Sequence, residues 1–362
     1  MPEQPLTQER IYSARPTVRV NGQNQALVTR QLLVMEVDEQ EDGLSRLSLK
    51  LSNIASDPEG GADYALEDEA VVKLGDRIAI YAGEEAAPQE IFSGRVSALE
   101  AGFYANASPT LTLLAEDKLQ EARMKRRTKT HDNSTVAALA CQVASDLGLT
   151  PQVSGLSEQI GTQVQLNESD LAFLRRLLAR YDGDMQIVGD ELHVGARGQV
   201  RRGRIELQLH GQLRSATVLA DLAHQVSEVS VTGWDAAQGS RITSQSSGAS
   251  TGPGQGRSGV ELLSSALGER SHHIGHLVVN TDAEGRAVAD AAFDERRRRF
   301  VTVRGVAEGN PALRVGTHVE LKGLGARFSN TYYVVRACHR FDLERGYETE
   351  FTGECAFLGR PS

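Results

Sequence analysis

Two stretches near opposite ends of the chain follow one design, and that duplication constrains the fold more than any other feature. "KLGDRIAIYAG" begins at Lys73 and "RVGTHVELKGL" at Arg314. Each sets an apolar residue before a Gly turn and then an alternating strand, with Ile78 and Ile80 on one face in the first copy and Val319 and Leu321 in the second. Both continue into an aromatic-led strand, "IFSGRVSALE" or "TYYVVRACHRF", and then into "TLTLLAED" or "ETEFTGEC". Three strands recurring in order predict two copies of one small β-barrel module. A chain with two equivalent modules can form a trimer presenting six quasi-equivalent units, so that a threefold object docks on a sixfold ring. An adapter needs that property; a soluble enzyme does not.

The segments around the repeat fit this plan. "TVRVNG" alternates and closes on Asn21-Gly22, and "LLVMEVDEQEDGLSRLSLKLSN" reads as two strands around Asp42-Gly43, with Leu47, Leu49 and Leu51 on one face. From about Asp117 to Arg204 the period changes. Val136, Leu139, Ala140, Val143 and Leu147 share a helical face that Asn133 or Ser134 caps and Gly148 ends. Leu171, Leu174, Leu177, Leu178 and Tyr181 form a second stripe, capped by Asn167 or Ser169. "MQIV" and "ELHV" flank Gly189-Asp190 as a hairpin, burying Met185, Ile187, Leu192 and Val194. Strands return in "GRIELQLHG" and "HQVSEVSVTGWD", and Gly239 to Gly259 reads as a Ser/Gly-rich loop or flexible linker. A helix follows from about Asp282 to Phe300, then strands from Val301 to Phe357.

The expected fold is therefore α+β and mostly β: two antiparallel β-barrel domains, an inserted α/β domain and a smaller helix-containing insertion. The boundaries are 1–117 for the first barrel, 118–204 for the α/β domain, 205–238 with 301–362 for the second barrel, and 239–300 for the loop and helix insertion.

Composition removes several functions. The net charge is −9, from 39 basic and 48 acidic residues, so the chain as a whole lacks the basic footprint of a nucleic-acid binder. No run approaches the ~18 apolar residues of a membrane helix, and "MPEQPLTQERIYSARP" has no apolar core of the kind a secretory signal needs. Synthesis and assembly in the cytoplasm are expected, with no membrane insertion of its own. Cys141, Cys338 and Cys355 are too few and too scattered for a disulfide framework or a zinc knuckle.

In order and over nearly its whole length, the sequence resembles the late-control gene D proteins, the baseplate hubs of contractile phage tails. Their relatives include hubs of extracellular injection systems and the N-terminal part of the valine-glycine repeat G spike of type VI secretion. The residues carrying the likeness are "NESDLAFLRRLLARY" with "DMQIVGDELHVG", "ADAAFDERRRRFVTVRGVAEGNPALRVGTHVELKG" and "FSNTYYVVRACHRFD…GYETEFTGEC". The resemblance implies tube-like barrels and a homotrimer that adapts a hexameric inner tube to a spike protein. Baseplate wedge proteins and cargo in the tube lumen are further implied partners, and the particle is one that the cell can release. No neck, needle or lysozyme-like segment follows the last strand, so the spike is expected to be a separate polypeptide.

Candidate chemistry is thin. Arg175, Arg176 and Arg180 lie on the polar side of the second stripe, and Arg296, Arg297, Arg298 and Arg299 form the densest basic run. These seven are the candidate interface residues, facing a subunit, cargo or nucleic acid. The run also suits the negative end of a helix dipole. His272, His273 and His276 lack the carboxylate or Cys partners of a metal site and read as polar surface, or as a cluster on a symmetry axis. "GPGQGRSG" lacks the Lys-Ser/Thr ending of a phosphate loop. Asp182 with Asp184, and Glu168 with Asp170, are carboxylate pairs that turn and cap chemistry explains without glycoside hydrolysis. No catalytic residue, cofactor or metal is assigned. A tail-associated peptidoglycan hydrolase and a cargo or nucleic-acid carrier are the competing readings.

Overall fold

The computed structural model describes residues 15–56, 62–236, 238–248 and 252–359, so most of the quoted N-terminal stretch and residues 249–251 of the Ser/Gly segment lie outside the described residues. The first module runs through β1 (Thr17–Val20), β2 (Gln23–Asn24), α1 (Ala26–Gln31), β3 (Leu32–Gln40) and β4 (Arg46–Ser52). A small ribbon follows, β5 (Ala55–Ser56) with β6 (Ala62–Asp63), and then β7 (Arg77–Ala82), β8 (Gln89–Tyr104) and β9 (Ala107–Glu116). Strict alternation drives the packing: Val18, Val20, Leu47, Leu49, Leu51, Ile78 and Ile80 are buried in one core. The neighbour order is β3-β4-β9-β8-β7-β1-β2, antiparallel throughout.

The α/β segment contributes β10 (Arg126–His131), α2 (Val136–Asp146), β11 (Thr150–Ser154), β12 (Gln163–Ser169), α3 (Asp170–Arg180), β13 (Gly183–Val188) and β14 (Glu191–Ala196). Both leucine stripes are buried in a shared core. The cap of α2 is Thr135, whose hydroxyl accepts from the Ala138 N–H at 3.0 Å, just beyond the expected Asn133 or Ser134. Ser169 caps α3, as the sequence predicts. Gly189 takes φ 60°, the left-handed turn conformation that closes the β13–β14 hairpin.

The second module starts with β15 (Gly203–Gln208) and β16 (Leu213–Ala220). An insertion carries β17 (Glu228–Asp235), β18 (Ser240–Ser246), β19 (Arg257–Ser258), α4 (Gly259–Leu267), β20 (Ser271–Ile274) and α5 (Asp282–Arg298). The module resumes with β21 (Val301–Glu308), β22 (Thr317–Lys322), β23 (Thr331–Asp342) and β24 (Gly346–Cys355). Its neighbour order, β16-β21-β24-β23-β22-β15, repeats β3-β4-β9-β8-β7-β1 strand for strand. Two of the irregularities repeat too, while those at Ile80/Tyr81 and Gly102/Tyr104 have no counterpart in the second module. The register shift at Leu32/Val34 against β4 recurs at Leu213/Ser215 against β21, and the one at Val96/Ala98 against β9 recurs at Val334/Arg336 against β24. Bulges re-aim strands at defined positions, so their coincidence marks a duplication of structure beyond mere strand composition. One strand departs: β1 is antiparallel to β7, whereas β15, which arrives from the inserted segment, is parallel to β22.

Two expectations change. Ser240–Ser246, expected as loop, is a strand between Gly239 and the undescribed residues 249–251. Its buried positions are Ile242, Ser244 and Ser246, and small polar side chains conceal the period. Small size is needed because α5 lies close above. A Cβ on Gly285 would stand 2.6 Å from the Ser244 hydroxyl and 3.2 Å from an Ile242 methyl. Second, β17 was expected in the second barrel but pairs with β18 and β20 in a separate three-stranded sheet. Its Val229 and Val231 join α5 and the helices of the α/β segment in a single core, so the two insertions pack as one body.

Candidate assembly surfaces

Strand β3 of the first module pairs with β23 of the second, from Gln40 opposite Arg336 to Val34 opposite Asp342, and so joins the modules in one 13-stranded sheet. The inner face of this seam is closed by Met35 and Val37 against Ala337, His339 and Phe341, all buried. Phe341 sits in the core of the other module. The His339 ring shares hydrogen bonds through Nδ1 with the Tyr347 hydroxyl at 2.9 Å and the Thr349 hydroxyl at 3.2 Å. Burial, with the Arg314 charge nearby, pushes its pKa down to about 3, so the ring is neutral. Arg314 crosses the seam to Glu39, which is only 1% exposed, and donates to the Glu90 carbonyl at 3.3 Å. On the outer face Arg336 pairs with Asp38 at 2.7 Å and Arg340 with Glu36 at 3.4 Å.

Ionic contacts also fasten the inserted body to the sheet. Arg197 pairs with Glu41 just after β3, and Arg202, leading into β15, pairs with Asp184; Arg298 pairs with Asp182 inside the body and reaches Glu354 of β24 at 3.8 Å. The carboxylates that looked like turn residues therefore anchor arginines. Burial raises the pKa of Glu41 and Asp184 against the opposing pull of those guanidiniums. The remaining carboxylate pair has the same character: Asp170 meets Arg127 at 2.8 Å and Glu168 meets Arg176 at 3.0 Å.

Of the seven candidate arginines, Arg175, Arg298 and Arg299 line one cavity with Glu41, Asp42 and Asp182, and the other four do not join them there. Arg175 donates to the Asp42 and Gly43 carbonyls at 2.9 and 3.1 Å, holding α3 on the β3–β4 turn. Arg180 pairs with buried Glu284 at 2.8 Å, tying α3 to α5, and Arg176 is exposed. On α5, Arg296 donates to the Ala292 carbonyl at 2.8 Å, and Arg297 lies over the Phe357 ring at 5.6 Å. Arg298 is buried, and Arg299 is exposed beside Glu295 at 3.0 Å and Glu354 at 3.5 Å. His272 and His273 stand on β20, where His273 shares hydrogen bonds with Ser230 and Thr232. Among the described residues no group of three or more His, Cys, Asp or Glu could hold a metal ion. No helix of the described residues is long and apolar enough to cross a membrane.

The surface that sequence reasoning missed is a pair of open strand edges. Strand β8 pairs with β7 from Gln89 to Arg95, and Val96 still bonds Asp76 and Gly75, so beyond Val96 that edge is free among the described residues, while β9 covers the other edge. Leu99 is 40% and Phe103 62% exposed there, with Tyr64 the edge-to-face neighbour of Phe103 at 5.7 Å. Among the described residues strand β16 pairs along its length only with β21, and it has Leu219 59% exposed. Open apolar edges invite further strands and are normally covered. The one signal in the sequence was "ALEAGFY", apolar on what the module pattern makes an outer strand end.

Solved structures of similar fold include tail proteins. The chain superposes on the 43 kDa tail protein of prophage MuSo2 from Shewanella oneidensis with TM-score 0.69 at 12% identity, covering 94% of this chain and 98% of that one. It superposes on a tail protein from Neisseria meningitidis MC58 with TM-score 0.65 at 12% identity, over 94% and 96% of the two chains. With the E. coli c3393 protein the TM-score is 0.58 at 13% identity, over 95% and 79%; that protein is a component of the type VI secretion system with structural similarity to T4 tail proteins gp27 and gp5. The fold is thus that of phage tail and baseplate proteins. The chain belongs to the family of the Alg8 N-terminal domain, whose model matches residues 13–342. No curated protein matches the sequence.

Proposed function

We propose that the chain is a non-enzymatic baseplate hub of a contractile injection machine, a homotrimer that adapts a hexameric inner tube to a spike. The carrying observation is the strand-for-strand repeat inside one sheet. Three chains of this kind offer six equivalent modules, the number a sixfold tube needs. The likeness to tail proteins over 94% of the chain supports the same reading. The unit boundaries proposed are those of the sequence, 1–117, 118–204, 205–238 with 301–362, and 239–300, with β17 moved to the last of these by its pairing. Of the seven candidate arginines, exposed Arg176 and Arg299 are the ones proposed to meet wedge proteins or cargo. The structure adds no observation in favour of a hydrolase or a nucleic-acid carrier.

Co-expression with the neighbouring tube and spike genes, followed by native mass spectrometry, tests this proposal. A complex with three copies of the chain is expected, its tube subunits in multiples of six. A chain that stays monomeric at high concentration and with both partners present would overturn it.

A further inference from the structure

The internal seam is a template for a second one. Superposing the modules by their paired strands and coincident bulges puts β16 in the place of β3, with Ala216, Val218 and Ala220 at Met35, Val37 and Glu39. The same equivalence puts the free half of β8 in the place of the β23 segment that β3 covers, with Leu99 and Ala101 at Ala337 and His339; Phe103, within the register shift between Gly102 and Tyr104, follows at the place of Phe341 by count along the strand. The faces agree: Ala216 and Val218 already turn toward their own module's core, as Met35 and Val37 do. One half of the template is therefore open on β16, which ends the strand path, and the other on the half of β8 that runs past β7. Among the described residues β16 and β8 are not paired with each other within the chain, so a partner for either edge has to come from another molecule.

We propose that β16 of one copy docks antiparallel on the free half of β8 of a second copy, in the register of β3 on β23. Ala220 then lies opposite Leu99, Val218 opposite Ala101, and Ala216 opposite Phe103. Phe103 enters the second module's core in the neighbour as Phe341 enters the first module's core within the chain. The outer-face ion pairs of the internal seam have no counterpart, because Ala98 and Gly102 replace Arg336 and Arg340, and Leu219 and Thr217 replace Asp38 and Glu36. The inner face of the intermolecular seam is accordingly apolar, and its outer face keeps a single charge, Glu100, which stands at Cys338 and opposite Leu219. This inference rests on the trimer reading and names the surface that builds it.

The test is cysteine cross-linking in the full chain with half-buried Cys141 replaced, Cys141→Ser, the buried Cys338 and Cys355 left in place. Residues directly opposite in an antiparallel pair have Cα separations that a disulfide spans. On oxidation the double variant Ala101→Cys/Val218→Cys is expected to give a covalent trimer on non-reducing gels. The shifted pair Ala101→Cys/Leu219→Cys, which points to the other face, is expected to give none. Phe103→Asp is solvent-exposed in the isolated chain and is expected to raise the concentration for half-assembly about tenfold or more, without altering the circular dichroism spectrum. A trimer by mass that neither cross-links through the first pair nor responds to Phe103→Asp would overturn the seam and leave the trimer reading standing. A monomer under every condition, with tube and spike present, would overturn both.

Discussion

The internal seam and the open edges are the same structural position met twice, once covered and once bare. Phe341 and Phe103 follow the equivalent residues His339 and Ala101 by the same count, yet one is 4% exposed and the other 62%. His339 and Ala101 are equivalent, and so are Arg336 and Ala98. A junction held within a chain never opens after folding, so it tolerates buried polar groups whose partners are fixed by the same polypeptide. A junction between chains has to present its surface to water first. Apolar residues and small side chains suit that need better than a stranded histidine or an unpaired carboxylate.

The largest effects should separate the two phenylalanines. Phe341→Ala is expected to destabilise the folded chain by about 3–5 kcal/mol in urea unfolding, as a large core residue does. Phe103→Ala should change monomer stability by less than about 0.5 kcal/mol while weakening assembly. Equal losses of monomer stability would break the comparison. Arg314→Ala strands Glu39, already 1% exposed, in the internal seam. An uncompensated buried charge costs about 3–5 kcal/mol, and no substitution along the free half of β8 should approach that in the monomer.

A smaller effect depends on pH. The folded-state pKa of His339 lies at about 3 against a reference of 6.5, so the unfolded chain binds a proton that the folded chain refuses. Its contribution is complete above pH 6.5 and is lost as pH falls toward 3. The slope is at most about 1.4 kcal/mol per pH unit for one proton. Asp117, raised to about 6 by burial, acts in the opposite sense as pH falls through that value. The difference between the native chain and His339→Gln isolates the histidine: the variant should have the shallower loss of stability between pH 6.5 and 4, and identical profiles would contradict its neutral burial. The smallest effect concerns the outer face. Arg336→Ala removes a half-exposed ion pair with Asp38 and should cost no more than about 1 kcal/mol, less at high salt. Assembly through the apolar seam should barely respond to salt.

Much of this fold was legible because alternation and helical period are local. Ile78, Ile80, Val319 and Leu321, which revealed the repeat, are all fully buried. The α3 stripe and the Gly189-Asp190 hairpin were readable for the same reason. Three features were hidden. Ser240–Ser246 conceals a strand because its buried face carries Ser244 and Ser246 under a close-packed helix. Helix α4 has a full capping box, Ser258 with Glu261, set in a Ser/Gly-rich context that masks it. The arginines read as interface residues facing a partner, yet Arg180 and Arg298 find carboxylates of their own chain more than a hundred residues away in sequence. The β3–β23 pairing and the two open edges are properties of strand order, and no local pattern encodes which edge stays free.

The most direct measurement of the central claim is electron microscopy of the purified assembly at a resolution that separates strands. Threefold rings of six modules are expected, with internal β3–β23 seams alternating with β16–β8 seams in the same register. Rings in which β8 beyond Val96 stays in solvent, or chains packed through other faces, would contradict it.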